Sequence, residues 1–127
     1  MAKYAHADVL DGGLNAIKNN ALRMLLLKAY SAADSYATVT ANAICSVTVS
    51  ATDFTLSNGS GGARVLTVSA KSGTASANSG AAPNLHIAFT DNVGKVLWVT
   101  DETSDQVVTS GNTINFPTLT YTSGQPV

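Results

Sequence analysis

From Ser35 to its end the sequence is a succession of short Val-, Ile-, Thr-, Phe- and Tyr-rich segments separated by Gly, Ser, Asn and Asp. That pattern restricts the chain to an all-β sandwich or barrel, because such segments bury one face and turn before they can form helices. In residues 45–51 the alternation puts Cys45, Val47, Val49 and Ala51 on one face and Ser46, Thr48 and Ser50 on the other. In residues 85–90, Leu85, Ile87 and Phe89 point inward and His86, Ala88 and Thr90 outward. Asp91-Asn92-Val93-Gly94 reads as a hairpin loop with Gly94 at positive φ. The return strand, 95–100, is apolar on both faces, Val96 and Trp98 on one and Leu97 and Val99 on the other, and is therefore covered on both sides. Residues 107–109, 112–116 and 118–121 complete the strands. Pro117 marks a bulge or an edge, since it cannot donate to a ladder and the alternation changes phase across it.

One segment breaks the β pattern. Leu10, Leu14, Ile17, Ala21 and Met24 recur at steps of four, three, four and three, the spacing of one helical face. The helix is expected over about 9–20, with Asp8 as N-cap and Asp11 favouring its positive end. Gly12 and Gly13 each cost it about 1 kcal/mol relative to Ala. A helix this short needs packing on a sheet or on a neighbouring subunit. Residues 22–30 that follow either extend the helix or begin a strand, and the alternation of Leu25, Leu27 and Ala29 with Met24, Leu26 and Lys28 favours the strand. The expected whole is a single domain over 1–127, a small antiparallel β-sandwich or barrel, jelly-roll-like, with one N-terminal α-helix, a β-rich body over about 22–122 and a short tail at 122–127. Residues 57–62 are read as a flexible turn. Residues 71–84, with nothing apolar larger than Ala or Pro, are read as a flexible loop.

Charge narrows the function. Charged residues are 12% of the chain and the net charge is −1, whereas 28 of 127 residues are Ser or Thr. The polar surface is hydroxyl rather than ionic, which excludes electrostatic nucleic-acid binding and a polybasic membrane patch. The apolar run Met24–Leu27 is far short of a bilayer span, and the N-terminus lacks the apolar core of a signal peptide, so synthesis in the cytoplasm is expected. The one cysteine, Cys45, cannot form an intramolecular disulfide and sits on an apolar strand face, as a buried structural thiol does. No G-x-S-x-G elbow accompanies the many serines, and only His6 and His86 could act as a base. His6 and Asp8 lack a third metal ligand at useful spacing; Asp101, Glu102 and Asp105 do not follow the calcium-loop pattern. Gly59-Ser60-Gly61-Gly62 lacks the Lys-Ser/Thr of a phosphate loop. These readings lead to no catalytic residue, no cofactor and no metal. A non-enzymatic building block acting through surface complementarity fits best.

Several segments carry a resemblance. They are Leu-Asp-Gly-Gly-Leu-Asn-Ala-Ile-Lys-Asn-Asn at 10–20, Asp-Phe-Thr-Leu at 53–56, Arg-Val-Leu-Thr-Val-Ser-Ala-Lys-Ser-Gly at 64–73, Leu-Trp-Val-Thr at 97–100 and Gly-Asn-Thr-Ile-Asn-Phe-Pro at 111–117. Together they make the chain resemble small tailed-bacteriophage virion structural proteins. The resemblance implies a capsid decoration, or cement, protein, made in the bacterial host cytoplasm and seated on the capsid surface of the virion. Its implied partners are the phage major capsid protein and itself, as a dimer or trimer. Arms at 1–7, 71–84 and 122–127 would order on contact, and the expected interface positions are Tyr4, His6, Leu10, Leu14, Ile17, Lys71, Pro83, Asn84 and Tyr121. The alternatives are a tail, baseplate or head-fibre component, and a carbohydrate-binding β module.

Overall fold

The computed structural model describes residues 2–101 and 105–127. Helix α1 spans Ala7–Asn20 and starts earlier than Asp8 would set it. His6 is the cap, its Nδ1 accepting the Asp8 N–H at 3.0 Å. Asp11 does not serve the helix dipole alone: its carboxylate binds Arg64 Nε at 2.8 Å, tying the first half of α1 to the sheet below. Leu10, Leu14 and Ile17 are buried, as the helical spacing requires.

Residues 22–30 contain strand β1, Arg23–Leu27. It lies antiparallel between β2, Ala43–Thr48, and β6, His86–Thr90, and β7, Val96–Asp101, follows beyond β6. A second sheet holds β3, Phe54–Asn58, β4, Arg64–Val68, and β9, Leu119–Ser123, in that order. A two-stranded ribbon pairs β5, Lys71–Thr74, with β8, Thr113–Phe116. All pairings are antiparallel, and the sheets pack as a sandwich that does not close into a barrel. The main core lies between the four-stranded and three-stranded sheets, where Met24, Leu26, Ile87 and Phe89 meet Phe54, Leu66 and Val68, with Leu14 and Ile17 of α1 closing one side.

The other face of the four-stranded sheet is also covered. A short helix that the β-rich pattern did not announce, α2, Tyr36–Ala41, caps itself on Ser35 and lays Val39 over Leu25, Leu27 and Ala88. This cover buries Ala88; Thr90 is buried as well, although strict alternation turns both to solvent. In isolation a six-residue Thr- and Val-containing helix is unstable, so its packing onto the sheet decides its state.

Two bulges correct the strand phases. Leu26 faces Cys45 and Leu27 faces Ala43, so Ile44 is an extra residue on β2. Ile44 and Cys45 therefore both enter the main core. Phe89 faces Trp98 and Thr90 faces Val96, so Leu97 is the extra residue on β7. Leu97 and Trp98 pack against the main core, and Val96 and Val99 against the α2 side. The expected grouping of Val96 with Trp98 fails for this reason. Pro117, in turn, marks no bulge. Pro117 and Thr118 carry the chain from β8 in the ribbon to β9 in the three-stranded sheet, and the phase changes because the sheet does.

The stretch 71–84 is not a free loop. Its start is β5, where Gly73 lies in close approach to β2: a Cβ there would sit 3.0 Å from Val47 Cγ2 and 3.1 Å from Cys45 Sγ, so those side chains would have to give way. Ser76 N–H then donates to Ile44 O at 2.7 Å. Ser79 N–H donates to Val108 O at 2.9 Å, and its hydroxyl oxygen accepts the Val108 N–H at 2.8 Å. Residues 107–109 form no strand of their own, and this exchange with Ser79 is what satisfies buried Val108. At the 91–94 turn, Asp91 Oδ1 accepts the N–H groups of Val93, Gly94 and Lys95, each at 2.9 Å, and the positive φ falls on Asn92, not on Gly94.

Gly12 and Gly13 sit in α1 at ordinary helical φ, and a Cβ added at either meets nothing within 4 Å. Gly12→Ala and Gly13→Ala are each expected to stabilise the folded chain by about 1 kcal/mol. Thermal unfolding checks this: each melting temperature should rise by a few degrees, and a fall would mean that the fold needs these glycines.

Candidate interaction surface

The expected interface positions separate into three groups. Leu10, Leu14 and Ile17 face the chain's own sandwich at 7%, 1% and 6% exposure, so they are core residues and offer no surface to a neighbour. Tyr4, His6 and Tyr121 are on the surface, Tyr4 at 74% and Tyr121 at 43% exposure. Lys71 and Pro83 are half-buried and Asn84 is exposed. The structure does not bring these into one patch through shared bonds. Tyr4 and His6 flank the start of α1, whereas Asn84 is anchored by its N–H to Lys28 O at 3.0 Å, at the end of β1.

Both chain ends are pinned at one place by a residue that sequence reasoning did not single out. Gln125 Oε1 accepts the Ala5 N–H at 2.7 Å, and its Nε2 donates to Ala5 O at 3.0 Å and to Gly62 O at 2.9 Å. One side-chain amide thus copies a backbone bridge to the segment before α1 and holds the β3–β4 turn as well. Nothing local signals this, since the partners lie 120 positions apart. The Asp11–Arg64 pair was missed for the same reason. Arg64 also donates through Nη1 to Asn58 Oδ1 at 2.7 Å, so one guanidinium joins α1, β3 and β4.

Lys71 is committed within the chain. Its Nζ lies 2.9 Å from Asp53 Oδ1, at the entry to β3. Partial burial pushes the Asp53 carboxyl up. The hydrogen bond from Lys71, the Ser50 N–H and the Lys71 charge together outweigh it and hold the group below the usual carboxylate range. Asp91 is lowered too, by the N–H groups of Gly94, Lys95 and Val93. Burial raises the Cys45 thiol above its ordinary value, which keeps it protonated and a poor nucleophile.

His86 is mostly buried rather than outward. Its Nδ1 lies 3.0 Å from Asn84 O, its Nε2 3.6 Å from Asp101 Oδ1, and its ring 5.5 Å from that of Tyr30. Asp105 spends Oδ1 on the Leu85 N–H at 2.7 Å. Glu102, the third acid of that loop, lies outside the described residues. Among the described residues no three His, Cys, Asp or Glu side chains gather as metal ligands would. No helix there is long and apolar enough to cross a membrane.

Concave surfaces lie elsewhere among the described residues. A cleft of about 330 Å³ opens where β8 crosses the four-stranded sheet, lined by Leu26, Ile87, Ile114 and Phe116 and by the neutral polar Gln106 and Asn115. A groove of about 250 Å³ runs between α1 and the strands β7 and β9, walled by Gly13, Ala16, Leu97 and Tyr121. Residues 80–82 form an exposed stretch of Gly and Ala, with Gly80 at φ +85°. The geometry defines an antiparallel β-sandwich with a docked N-terminal helix and neutral concave surfaces. In comparisons with known proteins, no family model, no curated protein and no solved structure matches this chain.

Loss of the Lys71–Asp53 pair provides a pH test. The Asp53 carboxyl is depressed in the folded chain, so its contribution is full above the unfolded value near 4 and fades as pH falls through the lower folded value. Asp53→Asn should therefore cost about 1 kcal/mol at neutral pH. Urea unfolding should show the difference from wild type shrinking below pH 4. A gap that stays constant to pH 2 would contradict the assignment.

Proposed function

We propose that this chain is a non-enzymatic structural protein of a tailed-bacteriophage particle, a capsid decoration protein that binds the major capsid protein lattice and stabilises the head. Two lines support this reading. One is the sequence resemblance. Its segments at 10–20, 64–73 and 111–117 supply α1, β4 with the start of β5, and β8, so the likeness falls on the frame of the molecule.

The observation that carries most weight is mechanical. The segments expected to act as arms that order on contact are instead already tied within the chain, through Gln125 to Ala5 and Gly62 and through Ser76 and Ser79 to Ile44 and Val108. A cement protein transmits load between neighbours, and a body with few loose segments loses little entropy on docking. The neutral exposed stretch at 80–82 and the exposed Tyr4 offer contacts that can be buried without stranding a charge. Many weak contacts of this kind, repeated on a symmetric lattice, add to firm attachment.

Quantitative mass spectrometry of purified particles tests the proposal, as copies of this chain per copy of the major capsid protein. A ratio fixed in proportion to the capsid lattice is the expected result. A small number set by tail or vertex symmetry would move the protein to the tail, baseplate or a head fibre. Absence from the particle would overturn the virion reading altogether.

A further inference from the structure

We propose that the free edge of β9 is a self-association surface, at which two copies of this chain pair antiparallel about a two-fold axis at Tyr121 and join their three-stranded sheets into one. Exposed sheet edges invite strand addition unless something blunts them. Both outer strands of the four-stranded sheet are blunted: β2 by the bulge at Ile44 and the Ser76 N–H on Ile44 O, β7 by the bulge at Leu97. The three-stranded sheet lacks such devices on β9. That strand pairs with β4 over five consecutive residues without a shift, and Leu119–Ser123 contains no charge and no proline. Among the described residues its backbone makes no other hydrogen bond.

The opposite edge, β3, is less open. The Asp53–Lys71 ion pair stands at its entry and Arg64 reaches across to Asn58 at its exit, so charges bracket the strand. Beside β9 the surroundings are apolar and small. The groove between α1, β7 and β9 adjoins it, Tyr121 is 43% exposed there, and the flank of α1 that borders it carries Gly13 and Ala16.

A second copy is the occupant because β9 complements itself. With the axis at Tyr121, Leu119 stands opposite Ser123 of the second copy and Thr120 opposite its Thr122. The Thr pairs fall on the solvent face, in line with Thr67 and Val65 of β4. Cross-strand Thr–Thr pairs are favourable, and no like charges meet. The contact is isologous and closes after two copies, so it does not propagate into a fibre.

Charge exchange at Thr120 and Thr122 tests both the surface and the register, since both residues are exposed in the monomer. The double variant Thr120→Lys/Thr122→Lys sets lysines opposite lysines across the axis. Thr120→Glu/Thr122→Lys sets each glutamate opposite a lysine. Sedimentation equilibrium on the full chain should give a dimer for wild type, a dissociation constant raised about tenfold or more for the two-lysine variant, and a restored dimer for the Glu/Lys variant. Circular dichroism confirms that each variant is folded. A monomeric wild type, a trimer, or variants that dimerise alike would overturn the proposal, and so would a Glu/Lys variant that dissociates as the two-lysine one does.

Discussion

Phe89 is the joint on which the two sheets turn. It is fully buried on β6, stacks on Trp98 of β7 with ring centroids 4.8 Å apart and planes at 12°, and meets the edge of Phe54 of β3 at 5.8 Å. Trp98 in turn presents its ring to Tyr121 of β9 at 5.4 Å in an edge contact. This column of four aromatic rings crosses from one sheet to the other and reaches the surface beside α1. Aromatic pairs at such distances add to the area they bury. The bulge at Leu97 follows from it: only with one extra residue on β7 can Trp98 stand opposite Phe89 while Leu97 also faces inward.

The rest of the architecture accommodates that joint. The central strands β1 and β6 are buried on both faces, so the second face of their sheet has its own cover. Helix α2 supplies it with a single buried Val39 and the Ser35 cap. Helix α1 lies on the inner face of the three-stranded sheet, held by the Asp11–Arg64 pair at one end and by Lys18 Nζ on Ala51 O, at 3.1 Å, at the other. The four-stranded sheet is finished at both edges, whereas the three-stranded sheet ends on β9 beside an open groove. The molecule is thus complete as a core but asymmetric in its edges.

Much of this was legible in the residues. The helix at Leu10, Leu14 and Ile17, the strand within 22–30 and the Ile87/Phe89 inner face all follow from period, and period is a property of neighbouring positions. What escaped depended on distant ones. Ile44 and Leu97 are ordinary residues whose status as bulges exists only in the register with β1 and β6. Lys71–Thr74 reads as a polar loop until β2 is placed against it, when Gly73 becomes the residue that lets the strands approach. Leu10, Leu14 and Ile17 carry the same pattern whether a helix docks on its own sheet or on another subunit, and the structure chooses the first. Gln125 is the extreme case, a tail glutamine that gains its role from Ala5 and Gly62.

The aromatic joint can be measured directly. The chain has one tryptophan, Trp98, and it stacks on Phe89, so its fluorescence reports the joint itself. Urea unfolding of wild type and Phe89→Ala, followed at Trp98 and by far-ultraviolet circular dichroism, separates loss of the joint from loss of the strands. The account predicts a stability loss of about 3–5 kcal/mol together with a shifted native Trp98 emission. A loss under about 1 kcal/mol with unchanged emission would contradict it, because a residue at the centre of the packing cannot be removed at so small a cost.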